Sequence, residues 1–160
     1  MASHRSISSD NLSRSKGQSK STHKFSIVAD NKPGENCFPG FLPVISYQLI
    51  IKLCREARIK VGRLGEFYFP AGRYVYTGSA KRNISARIKR HLSKVKKLRW
   101  HIDYLLANPF SEIVEVKKAS VPECELNQRT PGVIVINGFG SSDCKNNCKS
   151  HLKYLGIYRE

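Results

Sequence analysis

The run from residue 72 to residue 92, GRYVYTGSAKRNISARIKRHL, limits the possible folds of this chain more than any other segment. Its first part is rich in tyrosine and alternates in the manner of a β-strand. A turn follows at Gly78 and Ser79, where glycine permits a tight change of direction. The remainder is basic and has helical spacing, so the run predicts one strand-turn-helix unit.

The basic helix is predicted over residues 82–94 and has one apolar side. Ile84 and Ile88 are one turn apart, and either Leu92 or Val95 continues their stripe. The charged and polar residues between them are therefore expected on the remaining surface of the helix.

Three polar side chains are expected to meet where the strand joins the helix. Arg87 and His91 are separated by one helical turn and are able to act on a common object. Tyr76 lies two residues before Gly78, at the strand end that faces the helix start. A tyrosine, an arginine and a histidine are thus predicted to converge on one small region.

The chain has a large excess of positive charge, with a formal net charge of +16 over 160 residues. Six basic and three acidic residues fall within residues 1–40, so +13 belongs to the remainder. Residues 81–99 carry nine basic side chains and no acidic one. A charge run is usually only a solvated face, but its focus beside the candidate site favours a nucleic-acid partner, DNA first. The expected contact residues outside the catalytic set are Lys81, Arg82, Lys89, Arg90, Lys94, Lys96, Lys97 and Arg99.

Composition divides the chain into two parts. Residues 1–40 are rich in Ser and Lys and are predicted to be a disordered tail, because they bury too little apolar surface to offset their conformational entropy. Residues 41–160 are expected to form one domain. No apolar run approaches the roughly 20 residues that span a bilayer, so no membrane association is expected.

Two main strands are predicted to lie side by side. Residues 42–53 form an apolar, β-branched run that contains Tyr47, and residues 73–77 form the second strand. A hairpin-like connection would make them antiparallel neighbours and bring Tyr47 close to Tyr76.

The other segments predict shorter elements around these strands. They are a charged connection over residues 54–60, a short strand or hairpin arm over 61–69, helices over 98–106 and from Pro122, a strand over 112–119, a strand or loop over 130–142, and a final amphipathic helix that includes Leu152, Tyr154, Leu155 and Ile157. These strands and helices together predict an α+β domain.

The cysteines permit two interpretations. Cys144, Cys148 and His151, with Cys124 as a fourth ligand, are a candidate zinc site, but cysteines one helical turn apart also simply pack. An odd number of cysteines, five, favours reduced thiols. This predicts a reducing intracellular compartment, the cytoplasm first, with the nucleus or an organelle also compatible.

The polar residues match the requirements of phosphodiester hydrolysis. That reaction needs a base for the attacking water and cations around the phosphate. Tyrosine is a weak base with a pKa of about 10, and the basic helix is expected to lower that pKa. One carboxylate is enough to hold hydrated Mg²⁺ or Mn²⁺. Glu123 is the candidate and Glu125 its rival, although the helix dipole alone would also explain acids there.

These residues resemble the motifs of the GIY-YIG nucleases, and within them the Uri-type small endonuclease branch with its DUF123-like domain. ISY at residues 45–47 and YTG at residues 76–78 stand at the two tripeptides. The resemblance runs from about residue 47 to residue 154 and includes RIKRHL, WHIDYLL, ECEL, FGSSDC and CKSHL. The tripeptides alone would be a weak signal, and the whole set is specific.

The resemblance implies a small mixed or antiparallel sheet of about three main strands flanked by helices. It also implies a role for each candidate residue. Tyr47 would activate or position the attacking water with help from Tyr76, and Arg87 would hold the scissile phosphate. His91 would assist proton transfer or phosphate binding. Glu123 would hold the divalent metal.

Two positions depart from the family pattern. Ile45 replaces the first glycine, and Thr77 replaces the usual apolar residue of the second tripeptide. Neither change removes a proposed catalytic side chain, although Ile45 would alter the approach of the backbone to a phosphate. The sequence therefore predicts a metal-dependent endonuclease that cleaves DNA with little intrinsic sequence specificity. The alternatives are a non-catalytic nucleic-acid-binding module of the same fold and a zinc-stabilised interaction domain.

Overall fold

A computed structural model of the chain describes residues 43–157. The predicted disordered tail over residues 1–40 lies outside the described residues. The elements within the described range are β1 (Ser46–Leu53), β2 (Ala57–Val61), β3 (Gly65–Phe69), β4 (Gly72–Ser79), α1 (Ile84–Leu92), α2 (His101–Ala107), β5 (Ser111–Ala119), α3 (Glu123–Arg129) and β6 (Leu152–Gly156).

Four strands form an antiparallel sheet in the order β5-β1-β4-β6, and β2 pairs with β3 in a separate hairpin. The predicted antiparallel pairing of the two main strands is confirmed, with Tyr47 of β1 directly opposite Gly78 of β4. The α+β class is confirmed as well. β1 lies in the interior of the sheet and is buried along nearly its whole length, which explains its continuous apolar sequence.

The sheet has one more strand than predicted, because the prediction of a final amphipathic helix is wrong. Leu152–Gly156 forms β6 and pairs with β4 on one side, while Tyr154 also bridges to Val133. Leu152 and Leu155 have a spacing that also suits a helix, and in so short a segment the spacing alone does not separate the two structures. Backbone hydrogen bonding to the edge of β4 decides for the strand.

The charged connection over residues 54–60 is also partly wrong. Ala57–Val61 forms β2, with Ile59 and Val61 buried and Arg58 and Lys60 exposed. The charges alternate with apolar residues, which is the pattern of a strand with one covered face. The abundance of charge concealed that alternation.

The basic helix is shorter than predicted and presents a different face to the core. α1 starts after Asn83, whose side chain accepts a hydrogen bond from the Ala86 N–H at 2.9 Å. Ile88 is buried, but Leu92 is 41% exposed. His91, only 2% exposed, occupies the buried side in its place. The predicted surface position of His91 is therefore wrong.

The other two helices and the third predicted strand agree with the sequence patterns. α2 and β5 lie within one to three residues of the expected bounds, and α3 begins directly after Pro122. No helix among residues 43–157 is long and apolar enough to cross a membrane.

Candidate active site

Tyr47 and His91 form a buried pair where β1 passes α1. Tyr47 is 1% exposed, and its hydroxyl group shares a hydrogen bond of 2.7 Å with Nε2 of His91. Gly78 makes this position accessible to the ring. A Cβ added at Gly78 would lie 2.6 Å from both Cζ and the hydroxyl oxygen of Tyr47. The glycine that ends the second tripeptide, Gly78 of YTG, is therefore required by the tyrosine that ends the first, Tyr47 of ISY.

Tyr76 reaches the same imidazole from β4. Its ring centroid lies 6.3 Å from that of His91, and the Tyr47 centroid lies 5.6 Å from it. The predicted proximity of the two tyrosines is confirmed. Burial raises the pKa of both tyrosines above the ordinary value, and the charge of Arg87 offsets only part of this effect. The expectation that the basic helix lowers the tyrosine pKa is wrong, because desolvation outweighs the cations.

His91 is neutral at neutral pH. Burial, together with the charges of neighbouring basic side chains, lowers its pKa to about 4. Its Nδ1 atom is buried and has no hydrogen-bond partner among the described residues. Nε2 faces Tyr47, so the imidazole has one ring nitrogen available to exchange a proton with the tyrosine hydroxyl.

Trp100, at the N-terminus of α2, supports both arginines of α1. The Cζ atoms of Arg87 and Arg90 lie 4.6 Å and 4.1 Å from the centroids of its ring system. The His91 ring is also in contact, at 5.5 Å between centroids. Trp100 therefore restricts the orientation of Arg87, which lines the cleft together with the tyrosines.

Arg90 is held by an internal partner. Its guanidinium group donates two hydrogen bonds of 2.8 Å to the two carboxylate oxygens of Asp103, which is fully buried. Burial would raise the pKa of Asp103, but hydrogen bonds from Arg90 and from the N–H groups of Trp100 and Arg99 outweigh it and keep that pKa below the ordinary value. Arg90, which was predicted to contact nucleic acid, therefore has a structural contact within the domain.

The other predicted contact residues fall into two groups. Lys94 and Lys96 donate to backbone carbonyls, Lys94 to that of Ser111 at 2.9 Å and Lys96 to that of His91 at 2.7 Å. The remaining side chains are exposed: Lys81, Arg82, Lys89, Lys97 and Arg99. Of these, Lys81 and Arg82 line a depression together with Arg87, and Arg99 lines the main cleft.

Glu123, the first residue of α3, is bound on both carboxylate oxygens. Oε1 shares a hydrogen bond of 2.8 Å with Nδ1 of His151, and Oε2 accepts from the Ser79 hydroxyl group. Burial opposes ionisation, but these two hydrogen bonds outweigh it and lower the pKa of Glu123. Glu125 is paired with Arg129 at 2.5 Å and does not line the cleft. The structure thus separates the two rivals.

A cleft of about 530 Å³ is lined by most of the predicted catalytic and metal-binding residues. Tyr47, Tyr76, Arg87 and Glu123 all line it, and His91 lies behind Tyr47. These residues come from two strands and two helices. Since the β1–β4 pairing and the start of α3 set their positions, the site is built mainly on regular elements.

The comparison with protein families gives one match, to the family described as "Domain of unknown function DUF123", over residues 46–160. The chain belongs to the DUF123 family. The match confirms the DUF123-like part of the resemblance and includes all the candidate residues discussed above. No curated protein and no solved structure matches the chain.

Three cysteine residues of this DUF123 domain lie close to His151 beside the cleft. Cys124 lies on α3, Cys144 and Cys148 lie between α3 and β6, and His151 directly precedes β6. The four cysteines of the described range, these three and the exposed Cys54, are free thiols. The candidate zinc residues named from the sequence are therefore close together, and Cys124 is among them.

Three contributors to the DUF123 cleft were missed at the sequence level. Ser79 binds Glu123, Trp100 orients Arg87, and the Gly140 N–H donates to Nδ1 of His101 at 3.1 Å. Ser79 directly follows the YTG motif, so its position was a usable signal. The other two contacts join distant parts of the chain and have no local pattern.

Proposed function

We propose that this DUF123 domain is a metal-dependent endonuclease that hydrolyses phosphodiester bonds in DNA, with a site of the GIY-YIG type. The observation that carries the proposal is the convergence of Tyr47, Tyr76, Arg87 and Glu123 on one cleft. In-line attack of water on a phosphodiester requires a base for the water and positive charge around the phosphate. A phenol is a candidate for the first role, and the guanidinium group and a metal held by the carboxylate are candidates for the second.

The buried histidine offers a proton route for the attacking water. Near neutral pH the His91 imidazole is neutral, and Nε2 accepts the hydrogen bond from the Tyr47 hydroxyl group when the ring proton is on Nδ1. Tyr47 would take the proton of the water while it passes its own proton to His91. A free phenolate is then unnecessary, which fits the raised pKa of Tyr47. His91 is too deeply buried to bind phosphate itself.

Arg87 is the cation best placed for the scissile phosphate. It lines the cleft with the tyrosines, and Trp100 restricts its orientation. A fixed guanidinium group binds two phosphate oxygens and stabilises negative charge that develops on them. Lys81 and Arg82 line the neighbouring depression and Arg99 lines the cleft. These three cations would contact backbone phosphates next to the scissile one.

A divalent metal fits the oxygen donors beside this group. Glu123 and Ser79 present a carboxylate and a hydroxyl group, and each carboxylate oxygen has a further lone pair beyond its present hydrogen bond. Mg²⁺ or Mn²⁺ prefers such donors and keeps several waters when few protein ligands are present. When bound, the ion would stabilise charge on the phosphate and on the leaving oxygen.

The substrate choice follows from the distribution of charge. The exposed cations near the cleft are suited to phosphates, which every DNA sequence presents. We therefore expect cleavage with little dependence on sequence.

The test is cleavage of supercoiled plasmid and of a labelled single-stranded oligonucleotide with Mg²⁺, with Mn²⁺ and with chelator. Wild type is compared with Tyr47→Phe, Arg87→Ala and Glu123→Gln, and binding is followed by fluorescence anisotropy. Tyr68→Phe is the matched control, because the Tyr68 hydroxyl group is on β3 and bonds to Glu56 outside the cleft.

Wild type and Tyr68→Phe are expected to cut only with metal. The Tyr47 and Glu123 variants are expected to bind but to cut at least roughly 100-fold more slowly. If every protein binds DNA and none cuts any substrate, the domain is a nucleic-acid-binding module without catalysis.

A further inference from the structure

Three thiols and one imidazole are gathered from separate parts of the chain. Cys124 is on α3, Cys144 and Cys148 belong to the segment between α3 and β6, and His151 stands at the start of β6. One ligand atom from each lies within 4.8 Å of all the others. The Sγ atoms of Cys124 and Cys144 are 3.5 Å apart.

These separations approach those of a tetrahedral metal site. With Zn–S bonds of about 2.3 Å and Zn–N bonds of about 2.0 Å, the ligand atoms around zinc lie roughly 3.5 to 3.8 Å from one another. The largest separation in the cluster exceeds this range by about 1 Å, a difference that side-chain rotation of Cys or His covers. Ordinary packing brings two sulfur atoms together but does not require four donors around one point.

The second observation is the unpartnered nitrogen of His151. The residue is 3% exposed, and its Nε2 atom is buried with no hydrogen-bond partner among the described residues. Its Nδ1 atom is already committed to Glu123 at 2.8 Å. A buried polar atom without a partner is unfavourable, and a bound ion is one of the groups that satisfy such an atom. Nε2 is therefore the atom that remains for a metal.

We propose that Cys124, Cys144, Cys148 and His151 bind one zinc ion with a structural role. Three sulfur donors and one imidazole in a tetrahedral arrangement favour zinc over Mg²⁺, Ca²⁺ or Mn²⁺, which prefer oxygen. All four positions are supplied by the protein, as in structural zinc sites, so no position is left for substrate.

The ion would connect two segments that line the cleft. Cys124 follows Glu123 on α3, and the segment with Cys144 contributes Gly140 and Ser142 to the lining. With zinc on Nε2, the His151 ring carries its proton on Nδ1 and donates it to Glu123. The zinc site would thus set the position of this carboxylate without contact with the substrate. The proposal does not depend on nuclease activity.

The experiment measures metal directly, in the absence of DNA. The full chain is purified under reducing conditions without chelator, and zinc is determined by mass spectrometry. Cobalt is then exchanged into the site, because Co²⁺ bound by thiolates gives charge-transfer and d–d absorption bands that report sulfur ligands and tetrahedral geometry. The variants are Cys144→Ser, Cys148→Ser and Cys148→His, with Cys54→Ser as the matched control on an exposed turn.

One zinc ion per chain is expected in wild type and in Cys54→Ser, with tetrahedral cobalt bands in both. Cys144→Ser and Cys148→Ser are expected to lose most of the bound metal. Cys148→His is expected to keep it, with weaker sulfur charge-transfer bands, because histidine restores a fourth ligand. This variant distinguishes a lost ligand from a general failure to fold.

The proposal is overturned if folded wild-type protein contains no stoichiometric zinc and gives no tetrahedral cobalt spectrum. It is also overturned if Cys54→Ser loses as much metal as Cys148→Ser. Neither result bears on DNA cleavage, so the fate of the endonuclease proposal is decided separately.

Discussion

The hydroxyl group of Tyr47 and Nε2 of His91 lie 2.7 Å apart, and both residues are almost completely buried. The pair joins β1 to α1. Tyr47 lines the cleft, whereas His91 lies behind it and does not line the cleft. This arrangement makes the protonation state of one imidazole relevant to both stability and proton transfer.

The folded protein is expected to lose stability when the pH falls from about 7 to about 5. The pKa of His91 is about 4 in the folded state and about 6.5 when unfolded, so between these values the unfolded chain binds more protons. Stability is therefore present above pH 6.5 and is lost as the pH falls toward 4. The loss from this group is about 2 kcal/mol between pH 7 and pH 5. Urea unfolding at both values measures it.

The matched variant for this prediction is His91→Gln, which has no titrating ring. Its free energy of unfolding is expected to be lower than that of wild type at neutral pH but to change less between the two pH values. An equal pH dependence in both proteins would show that another group is responsible. Measurement above about pH 5 keeps the result clear of carboxylates such as Asp103, which are protonated mainly at lower pH.

Gly78→Ala is expected to destabilise the fold by about 1 to 3 kcal/mol and to impair cleavage, because the added methyl group overlaps the Tyr47 ring. A double-mutant cycle with Tyr47→Leu isolates the contact. The alanine should be less destabilising when leucine replaces the tyrosine, since the hydroxyl and Cζ positions are then empty. Equal effects in the two backgrounds would place the cause elsewhere. Urea unfolding provides the four free energies.

Arg90→Ala is expected to destabilise the protein by about 3 kcal/mol or more, because it leaves the buried carboxylate of Asp103 without its partner. Lys89→Ala, one residue away and exposed, is the control and should change stability by less than about 0.5 kcal/mol. Chemical unfolding of the two variants makes the comparison. A similar small effect for both would contradict a structural role for Arg90.

Replacement of Lys81, Arg82 and Arg99 by alanine is expected to weaken DNA binding and to reduce its salt dependence. Each lost phosphate contact should lower the slope of log K against log salt by about 1. The control replaces Arg58 and Lys60, two exposed cations of β2 that line neither the cleft nor the depression beside it. Anisotropy titrations over a range of salt concentrations provide the slopes. Identical slopes for the two sets would exclude the proposed interface.

Local patterns were sufficient to predict the strand-turn-helix unit. The alternation of Tyr74 and Tyr76, the glycine at residue 78 and the isoleucine spacing of α1 all act within a few residues. The fate of Leu152–Gly156 was not local, because a five-residue apolar segment becomes a strand or a helix according to the partner that it meets.

The chemistry of the site was predicted less completely than its residues. Tyr47, Arg87 and Glu123 were named by type and position, but the pKa values of Tyr47 and Glu123 depend on burial, which no short motif reports. The pairing of Arg90 with Asp103 and the link from His151 to Glu123 are contacts between separate elements. In both contacts the structure identifies a partner that could not be predicted from the sequence.

The absence of a side chain at residue 78 also bears on how the sheet is assembled. Alternation of buried and exposed residues does not distinguish one strand alignment from another shifted by two residues. Such a shift would put Tyr76 or Ala80 opposite Tyr47, and either residue brings a Cβ to the place that the phenol ring needs. Gly78 therefore helps to select the strand register: of these alignments, only the one that places Gly78 opposite Tyr47 leaves room for the phenol ring, and it is the one that brings the two tripeptides together.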